Sequence, residues 1–291
     1  MINKNELFYV LLFVLLSVLG LVAFGWMDLE FSQSIRNPGI WNTWVERLCF
    51  LPTLLAAWIQ SLMLTAHWLR KQSQEDAPVL VLMLGLLSSV GLPIYVYWYE
   101  MRYFDKQSSS LGWIMIICLV AIAIWGTIRI IKKLPPREEA VRIRRATAGL
   151  VIFYGIWGLT ALVSYFWGRA SFRDLQTMGS YAAYTPWFRP GGQTGANMSA
   201  FTGIALCYGI CISNYLTVGH NRNLRDVLVF ASLLYGLFVG WACMRNGTLY
   251  GSDVIIAAVL SYAVLFAGGF LFRRFYPADA GKLMGIRHDG L

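Results

Sequence analysis

Three short segments with polar residues, two of which carry charged side chains, lie between long apolar stretches in the second half of the chain. The segments read SYFWGRASFRDL (164–175), GANMSAFTGIA (195–205) and CMRNGTLYGSDV (243–254). Arg169, Arg173 and Arg245 offer guanidinium groups, which bind phosphate oxygens through charge-assisted, often bidentate hydrogen bonds. Asp253 offers a carboxylate, which can orient a catalytic base or cap the start of a helix. These residue types point to phosphate chemistry.

The order and spacing of the three segments resemble the type-2 phosphatidic acid phosphatases, a superfamily shared with haloperoxidases. In that family the motifs Lys-x6-Arg-Pro, Pro-Ser-Gly-His and Ser-Arg-x5-His-x3-Asp meet on the outer side of a helical bundle. Flanking residues carry the resemblance, namely Trp167-Gly168-Arg169-Ala170, Arg173-Asp174, Asn197, Ser199, Gly203, Gly247 and Ser252-Asp253-Val254. The resemblance implies that Lys and Arg hold the phosphate, one His attacks phosphorus with help from the Asp, and a second His protonates the leaving group.

The positions that would carry catalysis hold other residue types. Alignment on the flanking motifs puts Ser164 at the Lys position and Leu249 at the position of the nucleophilic His. The other degenerate positions are Ser171, Phe172, Thr202, Gly203, Ile204 and Cys243. Alternative registers use Arg173, Arg245 or Ser199-Ala200-Phe201, but no register supplies a histidine. The three histidines all lie on the predicted cytoplasmic side: His67, His220 and His288. We therefore expect no catalytic residue and no phosphohistidine chemistry at the outer face.

Phosphate binding without hydrolysis remains as the leading hypothesis. Arg169, Arg173 and Arg245 would hold a lipid phosphate headgroup beside Asp253, and the chain would act as a lipid-binding protein or as a partner subunit in the membrane. Two simpler interpretations stay open: the arginines extend to lipid phosphates in general, and Asp253 caps its helix. Two other functions also stay open, an active phosphatase with non-standard residues such as Cys243, and a transporter of an amphipathic substrate.

Long apolar stretches must position these segments. Of 291 residues, 57% are hydrophobic and only 13% charged, about half the charged share of a soluble domain. Stretches of about 20 apolar residues recur, each able to cross a bilayer core. The predicted spans are 7–25, 48–68, 78–98, 112–131, 148–167, 198–218, 226–244 and 253–272. We predict one all-α integral membrane domain over 1–291, a polytopic bundle of about eight spans with a phosphatidic-acid-phosphatase-like core. Residues 1–47 form an anchor span and an interfacial segment, and 148–275 form the motif-bearing half.

The basic residues indicate orientation. The net charge of +9 comes from residues in the links between spans, which argues against a nucleic-acid partner. The 24 Lys and Arg residues divide sixteen to eight between the two sides. Both termini are therefore predicted to be cytoplasmic, with the motif loops periplasmic in a bacterial inner membrane. Membrane lipids are the expected partners.

Neither a metal nor a cofactor is predicted. The five cysteines lie in or beside apolar segments, with no histidine near the pair Cys207 and Cys211. Gly236 and Gly240 form a small-xxx-small pair, which favours close helix packing inside one bundle over a dimer interface.

Overall fold

The structure is a computed structural model, and it describes residues 4–71, 83–85, 87–95, 117, 121, 125, 128–129, 136–191, 198–210 and 222–275. Throughout this described part, the regular elements are all helices. They are α1 (Lys4–Ile35), α2 (Ile40–Leu48), α3 (Leu51–Lys71), α4 (Met83–Tyr95), α5 (Pro136–Trp167), α6 (Phe172–Thr177), α7 (Met198–Tyr208), α8 (Arg222–Asn246) and α9 (Gly251–Phe275).

Five helical stretches are long and apolar enough to cross a membrane, which is compatible with an integral membrane protein. They are Phe8–Ile35, Ile40–His67, Ile143–Thr177, Val227–Asn246 and Gly251–Phe272. They correspond to the first, second, fifth, seventh and eighth predicted spans. The third prediction overlaps the shorter α4. Most of the fourth, 112–131, and the second half of the sixth lie outside the described residues. For the described residues, the all-helical class is thus confirmed, with five candidate spans.

The first helix runs further than the sequence predicted. The apolar run suggested an end near residue 25 and an interfacial segment over 29–47, but α1 continues to Ile35. Asp28 does not end the helix because its carboxylate is fully buried against partners in the same unit. In the second part of this segment the short helix α2 exposes Ile40, Trp41 and Trp44.

The chain divides into two compact units. Unit 1 comprises Met1–Pro52, Phe153–Cys211 and Asn223–Phe270, and unit 2 comprises Thr53–Ile152, Ile212–Arg222 and Leu271–Leu291. Within unit 2, the Trp58 indole donates to the carbonyl of Ser89 at 3.0 Å, which ties α3 to α4. Gly149 of α5 lies against the Gln60 amide of α3, where any larger side chain would overlap it.

Unit 1 contains all three motif segments. Helices α1, α5 and α8 end where α7 and α9 begin, and we call this the motif end. Glycines allow the helices of this unit to approach closely. Gly20 of α1 packs on Ile255 of α9. In α8, Gly236 packs on the Tyr208 ring of α7 and Gly240 packs on Val254 of α9. Gly236 and Gly240 thus contact neighbours inside the unit, as the spacing predicted.

Candidate functional site

Residues from three separate parts of the sequence line one small pocket at the motif end. The pocket has a volume of about 40 Å³, enough for one or two water molecules. Among its lining residues are Ser164, Arg169, Phe201, Leu249 and Asp253. In the alignment with the phosphatase motifs, these residues lie within or beside the three motifs, which meet in that family. The remaining lining is mostly apolar: Val163, Trp167, Gly168 and Ile256.

Arg169 is the centre of a buried ionic network beside this pocket. Its Nη2 donates to Asp28 Oδ2 at 3.1 Å, and its Nη1 donates to Asp253 Oδ1 at 3.0 Å. Nη1 also donates to Ser252 Oγ at 2.9 Å. The Ser252 hydroxyl in turn donates to the Asp28 carboxylate, and the Ser252 amide donates to it at 3.3 Å. Arg169 is 6% exposed and Asp28 0%, so this ion pair lies inside the protein, away from water.

Asp28 is the functional residue that sequence reasoning missed. It was assigned to the anchor segment, far in sequence from the three motifs. One signal was available: an acidic residue near the end of a long apolar helix has to find a buried partner or stay uncharged. The structure provides Arg169 as that partner. Two carboxylates therefore face one guanidinium, and a phosphate would have to compete with both of them for Arg169.

Aromatic rings enclose the guanidinium group. The Arg169 Cζ lies 4.4 Å from the centroid of the Tyr250 ring and 5.8 Å from that of Tyr184. The two rings meet edge to face at 5.6 Å. Burial raises the pKa of both phenols above the ordinary value of 10.0, so both stay neutral near pH 7. Contacts of this kind favour the cation and exclude water from it.

The loop that contains Tyr184 is anchored at several points. The Trp187 indole donates to the Leu21 carbonyl at 2.8 Å, and the Trp167 indole donates to the Trp187 carbonyl at 2.7 Å. The Gly191 amide donates to the Trp167 carbonyl at 2.9 Å. Gly191 also lies directly against the backbone of Gly168, with no room for a side chain. The loop therefore lies against α1 at Leu21 and against the end of α5 at Trp167.

Two of the motif residues have local structural roles. Asp253 Oδ2 accepts a hydrogen bond from the Tyr250 amide at 3.1 Å, which caps the start of α9. Asp174 Oδ2 accepts from Ser171 Oγ at 2.6 Å, while Ser171 Oγ accepts from the Asp174 amide at 3.0 Å. This capping box begins α6 and explains the SxxD spacing. Phe172, the next degenerate position, is buried.

The other predicted phosphate ligands lie outside the ionic network. The Arg173 side chain is exposed, and its amide donates to the Gly247 carbonyl at 2.8 Å. Arg245 is half-buried at the end of α8, and its carbonyl accepts from the Asn37 amide at 3.1 Å. The structure thus associates Arg169 with Asp253, and it associates Arg173 and Arg245 with the turn between α8 and α9.

The remaining degenerate positions lie in the helix interfaces. Ile204 is buried near Gly240, and Thr202 is buried with no hydrogen-bond partner for its hydroxyl among the described residues. Around Gly203 there is open space. Cys243 is a buried free thiol. No group of three metal-ligating side chains occurs in the part of the chain that the structure describes.

No histidine belongs to unit 1. His67, His220 and His288 all fall in the sequence ranges of unit 2. The described residues that line the pocket include no histidine. Comparison of the chain with models of known protein families, with curated proteins and with solved structures finds no match.

Proposed function

We propose that this chain is a catalytically degenerate, lipid-phosphatase-like membrane protein that binds a lipid phosphate headgroup or serves as a partner subunit. The observation that carries the proposal is the shared pocket. Ser164, Arg169, Phe201, Leu249 and Asp253 were related to one another by a motif alignment alone, and they line a single pocket of unit 1. This convergence supports the alignment register and the resemblance from which it came.

The chemistry of the pocket supports loss of catalysis. Phosphoryl transfer through a covalent intermediate needs a nucleophile, an acid and free cations on one face. Leu249 and Ile204, at the positions of the nucleophile and the acid, supply neither, and Arg169 is already paired with Asp28 and Asp253. The Arg169 cation is thus already paired within the protein.

The membrane arrangement is part of the proposal. Eight spans are proposed, the five candidate spans together with 78–98, 112–131 and 198–218. Both termini would be cytoplasmic in a bacterial inner membrane, and the motif end periplasmic. The direction of the helices in unit 1 supports placing both termini on the side opposite the motif end, because α1 begins and α9 ends away from the motif end. A single cysteine at Gln193, in a background without the five native cysteines, should react with an impermeant thiol reagent added from the periplasm. Labelling only from the cytoplasm would reverse the orientation.

The experiment that tests the function is native mass spectrometry of the purified protein. Detergent micelles would contain equal amounts of an anionic phospholipid, phosphatidylglycerol, and zwitterionic phosphatidylcholine. Preferential retention of phosphatidylglycerol is expected. Equal retention of both lipids, with no stabilisation by either, would contradict lipid-phosphate binding.

A further inference from the structure

Three arginine-bearing segments meet around the turn that joins α8 to α9. Gly247 in this turn has φ = 74°, in the left-handed region that favours glycine. The Gly247 carbonyl accepts from the Arg173 amide at 2.8 Å, and the Arg245 carbonyl accepts from the Asn37 amide at 3.1 Å. A Cβ atom added to Gly247 would lie 3.6 Å from Arg36 Nε. Arg173 and Arg245 thus contact this turn or its flank through their backbones, and Arg36 lies beside it through its side chain.

The Arg36 side chain is held in place but is not neutralised. Its guanidinium carbon lies 5.6 Å from the centroid of the Phe172 ring. Phe172 is itself buried and stacks on Tyr181 at 6.0 Å. The Arg36 Nε is buried and has no hydrogen-bond partner among the described residues. A buried donor without a partner is costly and indicates a ligand or water that completes it.

Two acidic residues of these segments accept hydrogen bonds from neutral donors. Asp174 accepts from the Ser171 hydroxyl and amide, and Glu46 Oε2 accepts from Asn246 Nδ2 at 2.7 Å. Within the described part of the chain, no carboxylate forms an ion pair with any of the three arginines. The three arginines exceed the two acids, so the turn carries net positive charge. In this respect the turn differs from the buried network, where carboxylates outnumber Arg169.

We infer that Arg36, Arg173 and Arg245 bind the phosphate of an anionic phospholipid at this turn. A lipid is favoured over a free anion because α2, which follows Arg36 after a short linker, exposes Ile40, Trp41 and Trp44. Exposed tryptophans of a short helix are typical of the membrane–water interface, where headgroup phosphates lie. The inference rests on the proposed lipid-phosphate binding and moves its site from Arg169 to this arginine cluster.

The test titrates the purified protein in zwitterionic micelles with phosphatidylglycerol, with phosphatidylcholine and with inorganic phosphate, following the shift of the melting temperature. Arg36→Gln, Arg173→Gln and Arg245→Gln should each weaken phosphatidylglycerol binding about five- to tenfold, as expected for one cation at a membrane surface. Arg189→Gln is the matched control. It removes one exposed cation from the loop at the same end of unit 1 and should leave the affinity unchanged. Arg36→Lys, which keeps the charge beside Phe172, should retain more affinity than Arg36→Gln.

The outcomes separate the site from the function. If the wild-type protein binds phosphatidylglycerol and none of the three Gln variants weakens it, the arginine cluster is not the site, although lipid binding stands. The same holds if Arg189→Gln weakens it equally. Inorganic phosphate that binds as tightly as the lipid, with the same variant effects, would overturn the choice of a lipid. Failure of the wild-type protein to prefer any anionic lipid would refute the proposed function itself.

Discussion

Replacement of Arg169 by glutamine tests the role of the buried ionic network. The change removes the guanidinium that contacts Asp28 at 3.1 Å, Asp253 at 3.0 Å and Ser252 at 2.9 Å. It leaves two carboxylates beside each other, one fully buried and one 9% exposed. Removing one partner of a buried ion pair typically lowers the free energy of unfolding by about 3–5 kcal/mol. We expect Arg169→Gln to fall in this range.

The comparison with carboxylate variants gives the prediction its specificity. Asp28→Asn leaves one carboxylate for one guanidinium, and it should cost only about 1–3 kcal/mol for weakened hydrogen bonds. In a background with both Asp28→Asn and Asp253→Asn, the added change Arg169→Gln should cost far less than in the wild type, since no carboxylate is left unpaired. Unfolding would be followed by circular dichroism in mixed micelles, with the denaturing detergent fraction as the variable.

Two results would refute this reasoning. One is an Arg169→Gln cost below about 1 kcal/mol, the range of exposed pairs that contribute little. The other is an equal cost of Arg169→Gln in the wild type and in the background that lacks both carboxylates. A variant that keeps its stability but loses lipid binding would show instead that Arg169 belongs to a ligand site.

Two further predictions concern the surroundings of Arg169. Tyr250→Phe should change the free energy of unfolding by less than about 0.5 kcal/mol near neutral pH, because the buried Tyr250 hydroxyl has no hydrogen-bond partner among the described residues. Burial raises the folded-state pKa of this phenol above its value in the unfolded chain. The stability of the wild type should therefore hold up to about pH 10 and decline above it, because only the unfolded chain loses the proton there. Thermal melts of Tyr250→Phe should show a smaller decline. Gly191→Ala should lower the melting temperature and loosen the 178–191 loop, as judged by limited proteolysis, because its Cβ would overlap the Gly168 backbone. Gly158→Ala in α5, where a Cβ meets nothing within 4 Å, is the control and should be neutral or stabilising.

The helical class and several spans could be predicted from the sequence because hydrophobic length alone determines them. A segment that crosses lipid must satisfy its backbone hydrogen bonds as a helix, and its side chains must be apolar, so it is visible in the sequence as a continuous apolar run. The end of α1 could not be predicted in this way. Asp28 and Glu30 interrupt the apolar run, and the helix continues through them to Ile35. The helix continues through Asp28 because its carboxylate pairs with Arg169, 141 residues later in the chain. The local sequence around Asp28 gives no indication of this partner.

The site was predictable in part for a similar reason. The motif spacing brought Ser164, Arg169 and Asp253 together because each lies at a helix end, and helix ends at the same side of a bundle converge. Charge balance was not predictable from the motifs. Arg169, Arg173 and Arg245 looked equivalent as cations, but only Arg169 is enclosed between two carboxylates. Arg36 carried no motif signal, and its position depends on Phe172 and on the turn at Gly247.

Phosphate release is the most direct test of the central claim that the phosphatase-like centre is catalytically degenerate. Purified protein would be incubated with phosphatidic acid, undecaprenyl diphosphate and a lipid A precursor, beside an active phosphatase of the resembled family. The absence of a nucleophile alone typically costs a factor of about 10⁴ to 10⁶ in rate, so no turnover above background is expected. Leu249→His should not restore turnover, because the acid and the free cations would still be missing. Wild-type turnover above about 0.1 per second, approaching ordinary enzyme rates and abolished by Asp253→Asn, would contradict the claim.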